Sequence, residues 1–144
     1  MYTVRQILQN KGHQVWSVSP EASVYEALQL MAEKDIGALV VMEADRLVGI
    51  FSERDYARKV ILHGKTSRET RVREVMTPRV AVIKPEQATE ECMALMTAKH
   101  IRHLPVMEDE RLIGLISIGD VVKAVISKQE FVISQLENYI TGGR

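Results

Sequence analysis

Two segments of the chain share one pattern that could bind a sugar. Residues 49–55 and 114–120 both follow Gly-h-h-Ser-x-x-Asp, where h is a large apolar residue. A carboxylate one turn into a helix can accept hydrogen bonds from two adjacent hydroxyls, such as the 2′,3′-diol of ribose. The serine hydroxyl and the free amides of a helix N-terminus add donors for an anion or a sugar oxygen. Serine and aspartate are also common helix-capping residues, so the pattern alone leaves a ribose site and a plain cap open.

Other reactive residues are isolated along the chain. Cys92 is the single cysteine, which excludes an internal disulfide and a cysteine-based zinc cluster. Cys92 is predicted to be a small core residue. His100 and His103 lie three residues apart without a nearby carboxylate or thiol to complete a metal site. The sequence contains no phosphate-cradling glycine motif and no recognisable nucleophile–base pairing, so we expect neither an enzyme nor a metal site.

The chain repeats itself with an offset of 65 positions. From Val15/Val80 to Lys59/Ala124 the ungapped match has 17 identical pairs out of 45, which indicates duplication. Upstream, residues 4–8 resemble residues 72–76 at an offset of 68, so the first copy carries three extra residues around Asn10 to Gln14.

Each copy is predicted to fold as β-α-β-β-α. A short β-rich run (15–18, 80–83) precedes a proline and a helix with an i, i+3, i+4, i+7 apolar stripe. Two aliphatic strands around a polar turn follow, and a second helix starts near Ser52 or Ser117. One such unit is too small to be stable alone. We therefore predict an α/β (α+β) fold in which two β-α-β-β-α repeats pack with pseudo-two-fold symmetry.

The predicted boundaries follow this repeat. Residues 1–62 form the first repeat with an N-terminal segment, 63–71 a polar linker, 72–126 the second repeat and 127–144 a helix extension. The final helix is predicted to run from about Asp120 to Ile140 and to end at Gly142-Gly143. Its apolar residues at seven-residue spacing allow two interpretations, a cover for its own sheet or a seam with a second chain.

Composition narrows the classes of partner. Lys plus Arg and Asp plus Glu both number 19, so the chain lacks the basic excess that neutralises nucleic-acid phosphates. No apolar run approaches the roughly 18 residues that span a bilayer, and the N-terminus lacks a signal-peptide pattern. We expect no nucleic acid or membrane partner and a cytoplasmic location.

Taken together, these segments resemble the CBS domain family, named after cystathionine β-synthase, as a stand-alone tandem pair or Bateman module. The resemblance rests on residues 75–78 (Val-Met-Thr-Pro), 80–85, 101–106 and the two Gly-h-h-Ser-x-x-Asp segments. It covers about residues 3–126.

The resemblance implies a regulatory, non-catalytic sensor. Such modules bind AMP, ADP, ATP or a dinucleotide such as NAD in clefts between the repeats, with no obligatory cofactor. Without a recognisable catalytic or transport domain, the module is expected to act in trans on an unknown protein target, and to form a homodimer. The alternative is a structural or interaction module with vestigial clefts that scaffolds a dimer or a partner enzyme.

The resemblance also assigns candidate nucleotide-binding residues. Ser52 with Asp55, and Ser117 with Asp120, are ribose candidates. Ser17 matches a hydroxyl near the ribose or base, but its counterpart is Val82. The strand entries that line the base and phosphate region are Ile36, Gly37 and Ala38 in the first repeat and Ile101, Arg102 and His103 in the second.

The two clefts are predicted to be unequal. Arg102 and His103 replace Gly37 and Ala38, and Arg54 stands where the second repeat has a glycine. Our hypothesis is that the Ser52/Asp55 cleft is the better site, with Arg54, Arg102 and His103 on phosphate. Lys11-Gly12, in the three-residue insertion, is either a ligand contact or a plain loop.

Overall fold

The twofold repetition of the sequence reappears in the order of helices and strands. The computed structural model describes residues 2–141. The helices are α1 (Val4–Lys11), α2 (Val24–Lys34), α3 (Glu53–Asp55), α4 (Val72–Val75), α5 (Thr89–Lys99) and α6 (Ile118–Ile140). The strands are β1 (Ser17–Val18), β2 (Ala38–Glu43), β3 (Arg46–Ser52), β4 (His103–Glu108) and β5 (Arg111–Ser117). Helix α3 continues as a π-helical turn (Tyr56–Val60) and a 3₁₀ turn (Ile61–His63).

The two predicted hairpins are confirmed, and they have the same register. Strands β2 and β3 pair antiparallel from Ala38↔Ser52, and β4 and β5 pair antiparallel from His103↔Ser117. Both hairpins carry an irregularity at the same place, after Val41 and after Val106. The duplication therefore preserves backbone geometry, and it places Ser52 and Ser117 at equivalent strand ends.

The predicted first strand of each repeat is shorter than expected. Strand β1 covers two residues and pairs parallel with β2, with Ser17 opposite Val40. In the second repeat only Ile83 forms a bridge, to Val106. Pro105 stands at the position of Val40 and has no N–H to donate, so the ladder there cannot extend. The prediction of a strand over 80–83 was wrong for this reason.

Each hydrophobic core includes a helix from the other half of the chain: α4 packs in the first core and α1 in the second. The first core, built on Leu39, Val41 and Phe51, includes Val72 and Val75 of α4. The second core includes three residues of α1 with the strand and helix residues of the second repeat: Val4, Ile7, Leu8, Ile83, Cys92, Met96, Leu104, Val106, Ile116, Val121 and Ala124. The repeats, divided by chain order at 1–62 and 72–126, are therefore interlocked in space.

Glycine permits a close approach at the same position of each repeat. A Cβ added to Gly49 would lie 2.6 Å from Met76 Sδ and 3.0 Å from the Thr77 carbonyl oxygen. A Cβ added to Gly114 would lie 2.6 Å from Leu8 Cδ2. The residues that follow α4 and the end of α1 thus press on equivalent strands, which fixes the entrance to each Ser-x-x-Asp segment.

The long final helix is confirmed. Helix α6 has 23 residues, which corresponds to a length of about 34 Å. Val121 and Ala124 are buried in the second core, whereas the residues from Ile126 onward are exposed. Gly142 and Gly143 lie outside the described residues. Among residues 2–141 no helix is long and apolar enough to cross a membrane.

Candidate functional site

One cleft lies between the repeats, at the end of β3. It has a volume of 790 Å³, within the range of small-molecule sites. Both repeats line it: the first contributes residues from β3 and the start of α3, and the second contributes the segment before α5 and the entry to β4. The lining residues are Gly37, Ile50, Ser52, Glu53, Arg54, Asp55, Thr77, Arg79, Val80, Ala81, Lys99, His100, Ile101, Arg102 and His103. We call this space the first cleft.

Ser52 and Asp55 form a reciprocal cap at the edge of the first cleft. Ser52 Oγ accepts a hydrogen bond from the Asp55 amide at 3.2 Å, and Asp55 Oδ2 accepts from the Ser52 amide at 2.9 Å and the Ser52 hydroxyl at 3.1 Å. The capping interpretation of the motif is therefore confirmed. It holds the carboxylate in a fixed position against the cleft, with Asp55 only 7% exposed.

The other carboxylate oxygen of Asp55 has one fixed partner and one that can be displaced. Thr77 Oγ1 donates to Asp55 Oδ1 at 3.1 Å, and Lys59 Nζ lies 3.0 Å away on the next helical turn. Thr77 itself is fixed by two backbone hydrogen bonds with Ile50, of 2.8 and 3.0 Å. Because Lys59 is 42% exposed in its side chain, it can turn into solvent at small cost. A sugar hydroxyl could then take its place on Oδ1.

The middle of the first cleft is apolar and its rim is positive. The half-buried side chains of Ile50, Val80, Ala81 and Ile101 provide surfaces on which a flat ring can pack. The lining cations are Arg54, Arg79, Lys99 and Arg102, all exposed, and the lining carboxylates are Glu53 and Asp55. The positive excess favours an anionic ligand.

Arg54 already bridges the two repeats. Its guanidinium donates to the His100 carbonyl oxygen at 2.6 Å, where α5 ends in a left-handed residue. A guanidinium has five N–H donors, so this bond leaves donors for a phosphate.

His103 lies deeper in the first cleft. A Cβ on Gly37 would lie 3.8 Å from His103 Cε1 and 2.8 Å from Glu53 Oε1, so the missing side chain at position 37 leaves room for both. Burial lowers the pKa of His103, and the charges of Lys11 and Arg102 lower it further against the opposing effect of Asp120.

The second Ser-x-x-Asp segment has the same cap but a different neighbour. Asp120 Oδ2 accepts from the Ser117 amide at 2.8 Å, and Ser117 Oγ accepts from the Asp120 amide at 3.2 Å. Lys11 Nζ lies 2.6 Å from Asp120 Oδ2. Burial raises the pKa of Asp120. The hydrogen bond and charge of Lys11, together with the hydrogen bonds of Ser117, outweigh burial, so the net effect lowers the pKa.

The structure brings seven predicted site residues together in the first cleft. They are Gly37, Ser52, Arg54, Asp55, Ile101, Arg102 and His103. Ser117 and Asp120 lie at the second cap. Three others are not among the lining residues: Ser17 is exposed in β1, Ile36 packs against the first core, and Ala38 is buried in β2.

Sequence reasoning missed several lining residues. Thr77 belongs to the Val-Met-Thr-Pro segment that carried the family resemblance, so its hydroxyl could have been chosen as a candidate. Arg79 lies in the segment between α4 and α5, Lys99 is the last residue of α5, and neither has a distinguishing sequence pattern. Among residues 2–141 no group of three His, Cys, Asp or Glu could hold a metal ion.

A comparison with family models finds the CBS domain twice. The model for this domain matches residues 4–62 and residues 72–127. The matched ranges cover both copies of the repeat and include both Ser-x-x-Asp segments.

Individual relatives agree with the family match. The mitochondrial CBS domain-containing protein CBSX3 of Arabidopsis thaliana is 38% identical over 98% of this chain and 73% of its own length. A candidate signal-transduction protein with CBS domains from Burkholderia ambifaria MC40-6 is 53% identical, with a TM-score of 0.85 over 88% of this chain and 96% of that one. The CBS-domain containing protein ATU1752 of Agrobacterium tumefaciens is 41% identical, with a TM-score of 0.81 over 85% and 92% of the two chains.

Proposed function

Because the chain belongs to the CBS domain family as a tandem pair, we propose that it is a regulatory sensor that binds an adenine nucleotide in the first cleft. The observation that carries this proposal is that three kinds of surface, acidic, apolar and basic, line one cleft of 790 Å³. A capped carboxylate suits a ribose diol, an apolar middle suits a purine ring, and a positive rim suits phosphate.

Each part of the nucleotide has a named counterpart. Asp55 Oδ1 accepts the ribose hydroxyls after Lys59 turns away, and Ile101 and Val80 pack on the base. Arg54 and Arg102 donate to phosphate, because a guanidinium binds phosphate oxygens through paired donors. AMP, ADP, ATP and NAD share these parts, so all four fall within the proposed ligand class.

The proposed outcome of binding is regulation of another protein. Arg54 links α3 to the end of α5 through His100, so a ligand that takes this guanidinium changes a contact between the repeats. A ligand shifts an equilibrium only by its differential affinity for two states. The sensor therefore acts through a protein target that distinguishes the ligand-bound state. We propose no chemical reaction, and we keep a cytoplasmic location as a prediction.

A thermal-shift panel tests ligand binding. If AMP binds with a dissociation constant near 10 µM, a concentration of 1 mM stabilises the fold by about 2.7 kcal/mol, or roughly 5–11 °C for a chain of this size. ATP and NAD should also raise Tm, whereas adenine alone and tripolyphosphate alone should shift it much less. A flat response to AMP, ADP, ATP and NAD would contradict the proposal and favour a scaffold with vestigial clefts.

We also propose that the chain forms a homodimer through α6. Six exposed apolar residues line one side of this helix along its length, and Phe131, Val132 and Tyr139 are exposed on its other sides: the six are Ile118, Val122, Ile126, Ile133, Leu136 and Ile140. Apolar stripes of this kind on a helix that extends beyond its own core favour helix–helix association. In the first half of α6, Ile118, Val122 and Ile126 form an open apolar face whose lining residues all belong to this helix.

An antiparallel pair of α6 helices would bury the apolar residues of both halves of each helix. The exposed second half of one copy, with Leu136 and Ile140, covers the apolar face formed by the first half of α6 in its partner. Sedimentation equilibrium should give a dimer, and Leu136→Glu should give a monomer. Asn138→Glu, on the opposite side of the same helix, is the matched control and should remain dimeric. A monomeric wild-type chain, or a dimeric Leu136→Glu variant, would contradict this interface.

A further inference from the structure

The extended helix α1 ends on the second Ser-x-x-Asp segment. Lys11 is the last residue of α1, in the three-residue insertion that distinguishes the two copies. The expectation that Lys11 lies in a plain loop was therefore wrong. The insertion adds a helical turn to α1, and this turn places the ammonium of Lys11 beside Asp120. The cation beside Asp55, the equivalent residue, comes from the helical segment of Asp55 itself.

Lys11 lies at the second cap much as Thr77 lies at the first, but the two side chains contact different oxygens of the equivalent carboxylates. Thr77 donates its amide to the Ile50 carbonyl at 2.8 Å and its hydroxyl to Asp55 at 3.1 Å. Lys11 Nζ donates to the carbonyl of Leu115, the equivalent of Ile50, at 2.6 Å, and to Asp120 Oδ2, which also accepts from the Ser117 amide, at 2.6 Å. The second cap therefore holds a positive charge between its serine–aspartate pair and the strand carbonyl, where the first cap has a backbone amide and a neutral hydroxyl.

The ammonium of Lys11 comes from a different element than its aspartate, unlike the lysine that pairs with Asp55. Lys59 lies four residues after Asp55 on the same helical segment, and its side chain is 42% exposed. Lys11 instead comes from a helix whose Ile7 and Leu8 are buried in the second core, and its side chain is 35% exposed. His13 adds a contact beside it, with Nδ1 2.9 Å from the Ile113 carbonyl oxygen.

We propose that Lys11 closes the second nucleotide position, so that the chain binds one nucleotide rather than two. The proposal rests on the function proposed above. A nucleotide at Asp120 must first displace Lys11 from an acceptor pair. Hydrogen bonds to charged groups of this kind correspond to a roughly ten- to hundredfold loss of affinity when they must be broken. Lys11 is therefore the residue that makes the two clefts unequal.

Isothermal titration with AMP tests this proposal. We expect one site in the wild-type chain, two in Lys11→Met, and one in Lys11→Met combined with Asp55→Asn, where only the second position remains. Asp55→Asn alone should bind AMP at least about tenfold more weakly than the wild type. Lys123→Met is the matched control, because this exposed lysine of α6 lies one turn from Asp120 and should leave one site.

The outcomes separate this inference from the proposed function. One site in both the wild type and Lys11→Met would overturn the inference while the proposed function stands, and so would weaker binding in Lys11→Met, which would make Lys11 a phosphate ligand. No site in the wild type but one in Lys11→Met would support the inference and contradict binding in the first cleft. No site in either chain would contradict both.

A second measurement checks the position of Lys11 in solution without any ligand. Because the charge of Lys11 contributes to the low pKa of His103, Lys11→Met should raise that pKa in an NMR titration of the histidine ring protons. Lys123→Met should leave it unchanged. An unchanged His103 titration in Lys11→Met would show that the ammonium is not held over the second cap, and would overturn the inference.

Discussion

Replacing Leu8 with alanine should destabilise both repeats, although Leu8 lies in the first half of the chain. Its side chain is fully buried in the second core. A buried Leu→Ala change costs about 2–5 kcal/mol, depending on how far the site can collapse. Here the side chain packs on the backbone of Gly114 in β5, where an added Cβ would lie only 2.6 Å from Leu8 Cδ2. Because a paired strand cannot easily shift into the space that Leu8→Ala leaves, the cavity should remain. We therefore expect the upper half of that range, about 3–5 kcal/mol.

The assay uses the single tryptophan as a local probe. Trp16 packs against the first core, with Lys34 Nζ 4.2 Å from its ring centroid, so its fluorescence follows the unfolding of the first repeat. Circular dichroism follows the helices of both repeats. We expect both signals in urea to shift together to a lower midpoint in Leu8→Ala, because α1 and α4 are exchanged between the cores. Leu62→Ala, at a residue 76% exposed, should change stability by less than about 0.5 kcal/mol.

The refuting result is a separation of the two signals. If the tryptophan transition of Leu8→Ala stayed at the wild-type midpoint while a helical transition moved to lower urea, the repeats would unfold independently. That result would contradict the interlocked cores. A loss below about 1 kcal/mol would contradict the tight packing of Leu8 on Gly114.

Three further predictions follow from burial and close packing. Gly49→Ala should cost about 1–3 kcal/mol in urea unfolding, because the new Cβ meets Met76 and the Thr77 carbonyl; a neutral effect would contradict this packing. Burial raises the pKa of the Cys92 thiol to about 11, so Ellman's reagent at pH 8 should react with it only after unfolding, and rapid reaction in the native protein would contradict its burial. Burial first, and then the charge of Lys11, lowers the pKa of His103 from 6.5, so the unfolded state binds the proton first and stability should fall as pH drops below about 6.5. His103→Gln should lessen this fall in Tm, and an identical pH profile in the two proteins would contradict the assignment.

The sequence predicted the repeat, both hairpins and both capped Ser-x-x-Asp segments, because these features depend on local patterns. Apolar alternation, a proline before a helix and a serine cap act over a few residues, so a single chain reveals them. The resemblance to the family then placed Arg102 and His103 beside Asp55. The structure confirms that these side chains lie in one cleft.

Features that depend on distant contacts could not be predicted. The similarity between residues 4–8 and 72–76 revealed two related segments, but not that both are helices or that each packs in the other repeat's core. The reach of Lys11 to Asp120 joins residues 109 positions apart, and no local pattern indicates it. The short first strand of the second repeat could have been found, since Pro105 lacks the N–H that Val40 donates in this register.

Binding of AMP to variants of the two equivalent aspartates tests the central claim most directly. By isothermal titration, Asp55→Asn should lower the affinity of the wild-type chain by at least about tenfold, because a charged hydrogen-bond acceptor at the ribose is lost. Asp120→Asn should change it by less than about threefold, a change below 0.7 kcal/mol on the scale of about 1.4 kcal/mol per tenfold. Equal losses in the two variants, or no loss in either, would contradict a nucleotide site at Asp55.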